Sequence, residues 1–520
     1  MSIKSEMRNA ANFELPYSWE VKACATLTLH QIMLDNSQNI LITGGQFNAN
    51  STAEEGTFRV IKIPLVILKA LAIGLKLLEK HIIFGALHNS AERGDSPKCH
   101  ENTRVAVIEE IMSWVNSDPQ TRVLWMNGPA GAGKTAIAHT ITEMCYRAGI
   151  LAASFFFSRS ISGRNEKTFL ITTIISQLIV AIPRIREHVG NALHQDHSLL
   201  SRSLEAQLEA LIVRPLERVT SDANSIDLLH PKLIVLDGLD ECGDCESHYS
   251  VLQVIFAAVS QYNLPFSFFI TSRPEQKIRE AFNEAALGLI TVRLVLDDKY
   301  LPDADIRTFL LSKFQDIKRK HPSGSSLLSW PSEGDVERLV QRSSGQFIYA
   351  STVVKFIDSH RHWPPDRLDM IFGILPCGRT TPFAELDALY SHIFSAALDN
   401  TEKILDILTV LLFYRSSSRS GHRQPTVRFL ESFLLYRSGE VFTVLSDMHS
   451  IISVPSPDQQ DMRLRIFHAS LGDFLTDHSR SGEKFFLDPG VSHRKIATWL
   501  MKEIERPSGR INVLFFFLSD

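Results

Sequence analysis

The chain has 520 residues, more than one hydrophobic core can organise, since domains commonly contain about 100 to 200 residues. Apolar residues make up 44% and charged residues 22%, which excludes extended disorder and indicates a folded protein of several domains. The 54 basic and 58 acidic residues give a net charge of -4 without long runs of one sign, so no nucleic-acid partner is expected.

Cysteine usage and the amino terminus bear on the compartment. The six cysteines are scattered, and the first residues lack the basic and apolar pattern of a signal peptide. A reducing, cytoplasmic location is therefore expected. Cys242 and Cys245 form one C-x-x-C, but a zinc site would need a second such pair or two histidines, so we interpret them as loop residues.

The amino-terminal part divides into a polar leader, residues 1–58, and an amphipathic helix with its linker, residues 59–100. Within the leader, residues 39–45 are typical of an isolated strand and turn. Residues 59–81 are apolar but carry four lysines on one helical face, so they lack the roughly 20 uncharged residues of a transmembrane span. We favour packing against the next domain; peripheral contact with an anionic membrane is the alternative.

Residues 101–288 alternate short apolar strands with periodic helices, the pattern of a parallel sheet covered on both faces. The clearest strands are 123–126, 152–157, 233–236 and 266–270, and the clearest helices are 168–182 and 249–262. This region is predicted to be an α/β core, and the motifs it contains indicate the P-loop NTPase type.

The remainder of the chain is predicted to be mostly helical. Residues 289–375 form a first helical domain. Residues 376–485 combine helices with a hairpin of 451–454 and 464–467, which suggests a winged helix. Residues 486–520 start a further helical segment.

The strongest motif is G-x-x-x-x-G-K-T, which follows an apolar strand and precedes a periodic helix. Its glycines allow the backbone amides to surround phosphate groups, Lys134 reaches the β and γ phosphates, and the Thr135 hydroxyl binds Mg²⁺. ATP or GTP with Mg²⁺ is therefore the expected ligand. The residues predicted to bind it in the loop are Gly128, Pro129, Ala130, Gly131, Ala132, Gly133, Lys134, Thr135 and Ala136.

Acidic residues end the strand at 233–236. Asp237 is predicted to hold the magnesium through water, because ligands bind at the carboxyl ends of parallel strands. Asp240 or Glu241 would orient or deprotonate the attacking water, and we favour Glu241 for its longer side chain. A strand that ends in solvated acids is the alternative.

The next strand ends in T-S-R-P. Arg273 is predicted to sense or stabilise charge on the γ-phosphate from this sheet edge. The alternative is a surface arginine in an ion pair.

Together these motifs resemble the NACHT-type signalling NTPases of the STAND class, and the fungal NLR-like branch most of all. The spacing of Asp237 from the acidic pair Asp240 and Glu241 distinguishes this pattern from ring ATPases, which place the two acids side by side. The similarity covers roughly residues 85–500. The shared motifs are G-P-A-G-A-G-K-T at 128–135, L-D-G-L-D-E-C at 236–242, T-S-R-P at 271–274, S-G-Q-F-I-Y-A at 344–350 and F-H-A-S-L-G-D-F-L at 467–475.

The resemblance implies that residues 289–375 and the winged helix form a lid over bound ADP, with His468 as the histidine that contacts its phosphate. A structural, hydrogen-bonding histidine is the alternative. The effector and the C-terminal repeats of the family are not recognisable, so the chain is interpreted as a truncated member.

The leading hypothesis is a nucleotide-dependent signalling switch, in which exchange of Mg²⁺-bound ATP or GTP opens the lid, permits self-association, and slow hydrolysis resets it. The rivals are a P-loop kinase or metabolic NTPase, and a scaffold that binds nucleotide without turnover. No motif selects adenine or guanine.

Overall fold

A computed structural model describes residues 65–93, 96–117, 121–220, 232–327, 329–359, 362–374, 383–397, 400–414, 425–455 and 459–504, and strands at 19–25, 27–34, 39–41 and 59–61. The chain divides into two compact units. One holds residues 1–77 and 187–197, and the other holds residues 78–186 and 198–520.

The first unit contains a hairpin that the sequence did not predict. Its strands β1 (Trp19–Ala25) and β2 (Leu27–Leu34) are antiparallel, and β3 (Asn39–Leu41) pairs in parallel with β4 (Arg59–Ile61). The predicted strand at 39–45 is present over 39–41, and its glycine turn lies outside the described residues. The segment predicted as helical from residue 59 begins with β4, and helix α1 runs over Leu65–Glu79.

The second unit contains the parallel sheet and most of the helices. Its core strands are β5 (Val123–Asn127), β6 (Leu151–Phe156), β7 (Leu233–Asp237), β8 (Ser267–Ser272) and β9 (Thr291–Val295). The helices up to β9 are α2 (Val105–Asn116), α3 (Lys134–Arg147), α4 (Leu170–Ala181), α5 (Arg186–Gln195, most of it in the first unit), α6 (Leu204–Leu208), α7 (Arg214–Thr220), α8 (Cys245–Phe256), α9 (Gln276–Asn283) and α10 (Ala285–Leu289).

The sheet has the order β6-β7-β8-β5-β9, and all neighbouring strands are parallel. Helices cover both faces, as predicted. On one face α2 and α3 pack Ile111 and Ile141 against Leu124, and on the other the ring of Phe282 in α9 stacks on Trp125 at 4.2 Å. The α/β core is thereby confirmed.

The predicted end of the core at residue 288 is too early. Strand β9, residues 291–295, pairs with β5 along its whole length and closes the sheet edge beside the strand that enters the phosphate loop. Because β9 is an edge strand, several of its side chains are exposed, and its apolar alternation is weak.

The region after β9 is mostly helical and shares one hydrophobic core from Ile306 to Leu500. The predicted boundaries at 375 and 485 therefore fall inside a continuous core. The predicted hairpin is present as β10 (Ile452–Ser453) and β11 (Arg465–Ile466), which pair antiparallel. The helices are α11 (Pro302–Lys320), α12 (Glu333–Ser343), α13 (Phe347–Ile357), α14 (Pro364–Gly373), α15 (Ala384–Ala396), α16 (Thr401–Phe413), α17 (Val427–Phe433), α18 (Glu440–Val444), α19 (Ala469–Thr476), α20 (His478–Phe485) and α21 (Pro489–Ile504).

In the described part of the chain, no single helix has the length and apolar character that crossing a membrane requires. Two successive helical stretches joined by a sharp bend, 167–181 and 183–195, meet that requirement only when taken together.

Candidate functional site

The predicted phosphate loop connects β5 to α3, and α3 begins at Lys134. Gly131 and Gly133 have φ angles of +78° and +90°, a backbone conformation that residues with a Cβ rarely adopt. These glycines let the loop turn back on itself directly before the helix. The amino terminus of α3, with its unpaired amides and partial positive charge, then lies at the loop.

Lys134 folds over the loop that precedes it. Its Nζ donates hydrogen bonds to the carbonyl oxygens of Gly128 and Pro129, both at 2.8 Å. Burial lowers the pKa of the Lys134 ammonium, while the nearby carboxylate of Asp240 acts in the opposite direction. The ammonium group is thus held at the loop by neutral acceptors, which a phosphate oxygen could replace.

Asp237 ends β7 and is only 2% exposed. Thr271 on the neighbouring β8 donates its hydroxyl to Asp237 Oδ1 at 2.6 Å. Burial raises the pKa of the Asp237 carboxyl, and the hydroxyls of Thr271 and Thr135 and the guanidinium of Arg93 act against that rise. Thr135 and Asp237 line the same cavity, so the structure brings the two predicted magnesium ligands together.

The other two acids differ in their surroundings. Asp240 accepts from the Arg273 amide at 2.9 Å and pairs with Arg273 Nε at 3.1 Å, so both its oxygens are engaged. Glu241 lines the cavity and accepts from the Arg159 amide at 3.0 Å. Burial raises the pKa of Glu241 to about 7, and the charges of Asp240 and Asp237 add to the rise. Glu241 is the acid beside the cavity with a pKa suited to accepting a proton.

Arg273 connects the core with the helical region. Its Nη2 lies 2.7 Å from Asp473 Oδ2 in α19, in addition to its ion pair with Asp240. Arg159 pairs with the other oxygen of Asp473 at 3.2 Å. The predicted phosphate sensor is therefore held between two carboxylates, one of which belongs to the winged-helix-like region.

His468 precedes α19 and lines the cavity with Thr135 and Asp237. Its Nδ1 accepts the backbone hydrogen bond of Ser470 at 3.0 Å, which caps the helix. Burial lowers the pKa of His468 to about 4, and the charges of Arg273 and Lys134 act in the same direction. The ring is neutral at pH 7, and since Nδ1 is an acceptor, the ring proton is on Nε2. One ring can therefore serve both roles, with Nδ1 capping the helix and Nε2 donating to a phosphate.

Helix α13 covers the phosphate loop. A Cβ placed on Gly131 would collide with Cγ2 of Ile348, a residue of the S-G-Q-F-I-Y-A motif. The loop thus contacts the helical region directly, and a side chain at position 131 would force the two apart.

The cavity has a volume of about 470 Å³ and lies between core residues and the winged-helix-like residues 465–476. Its lining includes the hydroxyl of Thr135 and the carboxylates of Asp237 and Glu241. Hard oxygen donors of this kind suit Mg²⁺, which keeps several waters and bridges phosphate oxygens. The residues present therefore fit a magnesium-bound nucleotide, with Thr135 and Asp237 as the protein's contribution to the metal.

Sequence reasoning did not find several residues of this site. Thr271 and Asp473 lie inside motifs that were recognised as shared, so their motif membership was an available signal. Arg93, Arg159 and Arg164 also line the cavity but lie in irregular segments, where no periodicity or spacing marks them. The C-x-x-C residues form no disulfide: Cys242 is buried and Cys245 is exposed.

The parallel sheet, the glycine loop and the paired Thr135 and Asp237 define a protein of the P-loop NTPase class. The family model described as Nephrocystin 3, N-terminal, matches residues 105–273, from the start of α2 to Arg273. That match covers less than half of the chain and includes the phosphate loop and the acidic strand end. It does not distinguish a NACHT protein from other members of the class. None of the curated proteins matches the chain.

Solved structures align with the chain at low similarity, and three of them show the level of agreement. The Walker-type ATPase PABY2304 of Pyrococcus abyssi is 13% identical over 74% of this chain and 99% of its own, with a TM-score of 0.35. The Aeropyrum pernix ORC1 protein in complex with DNA is 16% identical over 75% and 92%, with a TM-score of 0.29. Drosophila ORC bound to DNA is 14% identical over 71% and 94%, with a TM-score of 0.26. Scores this low indicate nothing about ligands or partners, and they give no support to the expectation that nucleic acid is not a partner.

Proposed function

We propose that the chain is a nucleotide-dependent signalling switch of the NACHT type, located in the cytoplasm. In this proposal it binds ATP or GTP with Mg²⁺, hydrolyses it slowly, and self-associates when the triphosphate form separates the helical region from the core. Residues 296–504 act as the lid, with α13 over the phosphate loop and α19 over the cavity.

The observation that carries this proposal is the pairing of Asp473 with Arg273 and Arg159. One carboxylate of the winged-helix-like region holds two arginines at the carboxyl ends of the core strands. His468 lies two residues after the end of β11 and directly before α19, and it shares the cavity with the predicted magnesium ligands. A ligand that competes for these arginines or crowds this cavity would favour a state with the lid released.

The test is nucleotide exchange on the purified full chain. With a diphosphate we expect a monomer that resists proteolysis; with Mg²⁺ and a non-hydrolysable triphosphate we expect a larger assembly and new cleavage sites. Light scattering after size exclusion and limited proteolysis measure both. The variant Lys134→Ala should respond to neither nucleotide, and unchanged mass and cleavage in the wild type would contradict the switch.

The rivals give different results in the same preparation. A kinase or metabolic NTPase would show turnover that a small acceptor stimulates many-fold. A scaffold without turnover would show the same assembly and no hydrolysis in both the wild type and Glu241→Gln. The switch predicts slow hydrolysis in the wild type, its loss in Glu241→Gln, and a longer-lived assembly in that variant.

A further inference from the structure

Arg93 is a buried cation that the proposed mechanism does not use. It ends a short turn at residues 91–93, before the core, and is only 6% exposed. It lines the cavity that also contains Thr135, Asp237 and Glu241. Burying a guanidinium without a counter-charge is costly, so its partner requires an explanation.

The guanidinium of Arg93 is held in place but not fully hydrogen-bonded. It stacks on the ring of Phe156, with Cζ 3.5 Å from the ring centroid, and its Nε donates to Ser96 Oγ at 3.1 Å. Its Nη1 is buried and has no hydrogen-bond partner among the residues that the structure describes. Buried donors are nearly always paired, and an unpaired one at a cavity wall suits an anionic acceptor.

The position of Arg93 relative to the magnesium ligands follows from the sheet. Phe156 in β6 is the register partner of Asp237 in β7, so the guanidinium that stacks on Phe156 lies beside the strand end that carries Asp237. The Asp237 carboxylate raises the pKa of Arg93, although burial and the neighbouring Arg164 lower it to about 9. The group therefore stays charged at pH 7.

Among the described residues, the carboxylate that acts on the charge of Arg93 is Asp237, which the proposed site assigns to Mg²⁺. Glu92, its neighbour in the chain, pairs with Arg463 at 2.9 Å, and its carbonyl accepts from Arg465. Arg164, a second buried cation at this wall, donates to the carbonyl oxygens of Phe156 and Phe157, and its charge adds to that of Arg93.

We propose that Arg93 binds the terminal phosphate of a nucleoside triphosphate and so distinguishes the triphosphate from the diphosphate. This inference rests on the proposed function, because it requires a Mg²⁺-bound nucleotide between Thr135 and Asp237. A third phosphate would add negative charge in the cavity that Arg93 shares with Thr135 and Asp237, where the unpaired Nη1 of Arg93 would donate to it. The diphosphate lacks this third phosphate, so it would leave the Nη1 of Arg93 without an acceptor.

The experiment measures dissociation constants of fluorescent nucleotides on the full chain in the presence of Mg²⁺. The wild type is first tested with adenine and guanine nucleotides to find which base it binds. For that base, a non-hydrolysable triphosphate is then compared with the diphosphate. We expect Arg93→Gln to weaken triphosphate binding by roughly tenfold or more and diphosphate binding by less than about twofold, because a charge-assisted hydrogen bond acts on one ligand only.

Matched variants separate this inference from the proposed function. Arg147→Gln removes an arginine that is 76% exposed and paired with Glu143, and should leave both constants unchanged. Lys134→Ala should weaken both nucleotides. If Arg93→Gln does not fold, Arg93→Lys keeps the charge, loses the planar donor group, and should show a smaller loss for the triphosphate alone.

Equal loss of both nucleotides in the Arg93 variants, or no loss of either, would overturn the role of Arg93 and leave the proposed function standing. A wild type that binds neither nucleotide would overturn the proposed function and this inference with it.

Discussion

At the scale of single residues, the site depends on the groups that oppose protonation of a buried carboxylate. Asp237 is buried at the end of β7, and burial alone would favour its neutral form. Two hydroxyls and a guanidinium act against that effect, and a bound Mg²⁺ would favour the ionised form further. Thr271 supplies one of these contacts, at 2.6 Å.

Replacing Thr271 by Val should therefore weaken the Mg²⁺ dependence of nucleotide binding by roughly tenfold, the usual cost of losing a group that orients a metal ligand. Valine keeps the shape of threonine but cannot donate to Asp237. A Mg²⁺ titration of fluorescent nucleotide binding measures the effect, and Thr271→Ser, which keeps the hydroxyl, should behave like the wild type. Equal Mg²⁺ affinity in the Val and Ser variants would show that Thr271 does not support the metal ligand.

The raised pKa of Glu241 predicts that the rate of hydrolysis depends on pH. Its pKa is raised from 4.5 to about 7 by burial and by Asp240, so the carboxyl is protonated, and unable to accept a proton, below neutrality. If Glu241 is the base, kcat/KM for hydrolysis should rise through about pH 7 and level above it. Glu241→Gln should abolish that rise together with hydrolysis. A flat profile between pH 6 and 8, with activity intact, would assign the base to another group.

The raised pKa of Glu241 also makes the free energy of unfolding depend on pH. Because the folded state holds the Glu241 proton more tightly than the unfolded chain, ionisation of this group lowers the free energy of unfolding as pH rises from about 4.5 to about 7. Glu241→Gln should therefore gain stability relative to the wild type at pH 8 and gain none at pH 4. Denaturant unfolding at both pH values measures the difference, and a gain of equal size at both would mean that ionisation is not its cause.

At the scale of elements, the contact between α13 and the phosphate loop can be isolated by two glycines. Gly131 and Gly133 share the left-handed backbone conformation, but a Cβ on Gly131 meets Ile348, whereas a Cβ on Gly133 meets no atom within 4 Å. Gly133→Ala should cost only the backbone strain, about 1 to 2 kcal/mol. Gly131→Ala should cost that strain plus the collision.

We expect Ile348→Ala to reduce the part of the Gly131→Ala destabilisation that exceeds backbone strain, and to leave the Gly133→Ala destabilisation unchanged. Free energies of unfolding without nucleotide measure both effects. Equal coupling of Ile348 to both glycines would show that α13 does not contact the loop specifically.

The elements that sequence could predict are those with a local signal. The phosphate loop, strands β5 to β8 and the hairpin at 452–466 follow from spacing and periodicity within short segments, and the structure contains them. Strand β9 was missed because it is a half-exposed edge strand with Arg293 at its centre. The hairpin β1–β2 was missed although Trp19, Val21 and Ala23 alternate with Glu20 and Lys22, so a short-range signal was present and was not used.

At the scale of the whole second unit, the site depends on contacts that no local pattern records. Arg159 and Asp473 are 314 residues apart in the chain, and their pairing follows only from the folded arrangement. The motifs mark segments that resemble those of a family; they did not show that Asp473 holds two arginines of the core or that Arg93 lines the cavity. Side chains that act across segments need the fold before they can be placed.

The Asp473 contacts predict a variant that releases the lid. Asp473→Asn removes the charge that pairs with Arg273 and Arg159, and should weaken lid docking by about 1 to 3 kcal/mol, since one partner is largely buried. We expect assembly at lower triphosphate concentration, measured by light scattering. Asp461→Asn, which breaks an exposed pair with Arg428, should have little effect. An equal effect of the two variants would contradict the assigned role of Asp473.

The most direct test of the account is hydrogen exchange in α19, residues 469–476, with diphosphate and with Mg²⁺ and a non-hydrolysable triphosphate. We predict that the triphosphate increases exchange in this helix in the wild type and not in Lys134→Ala, because nucleotide at the loop displaces the contacts of Asp473. Identical protection of α19 in the two states, with both nucleotides shown to be bound, would contradict the claim that the nucleotide site controls the lid.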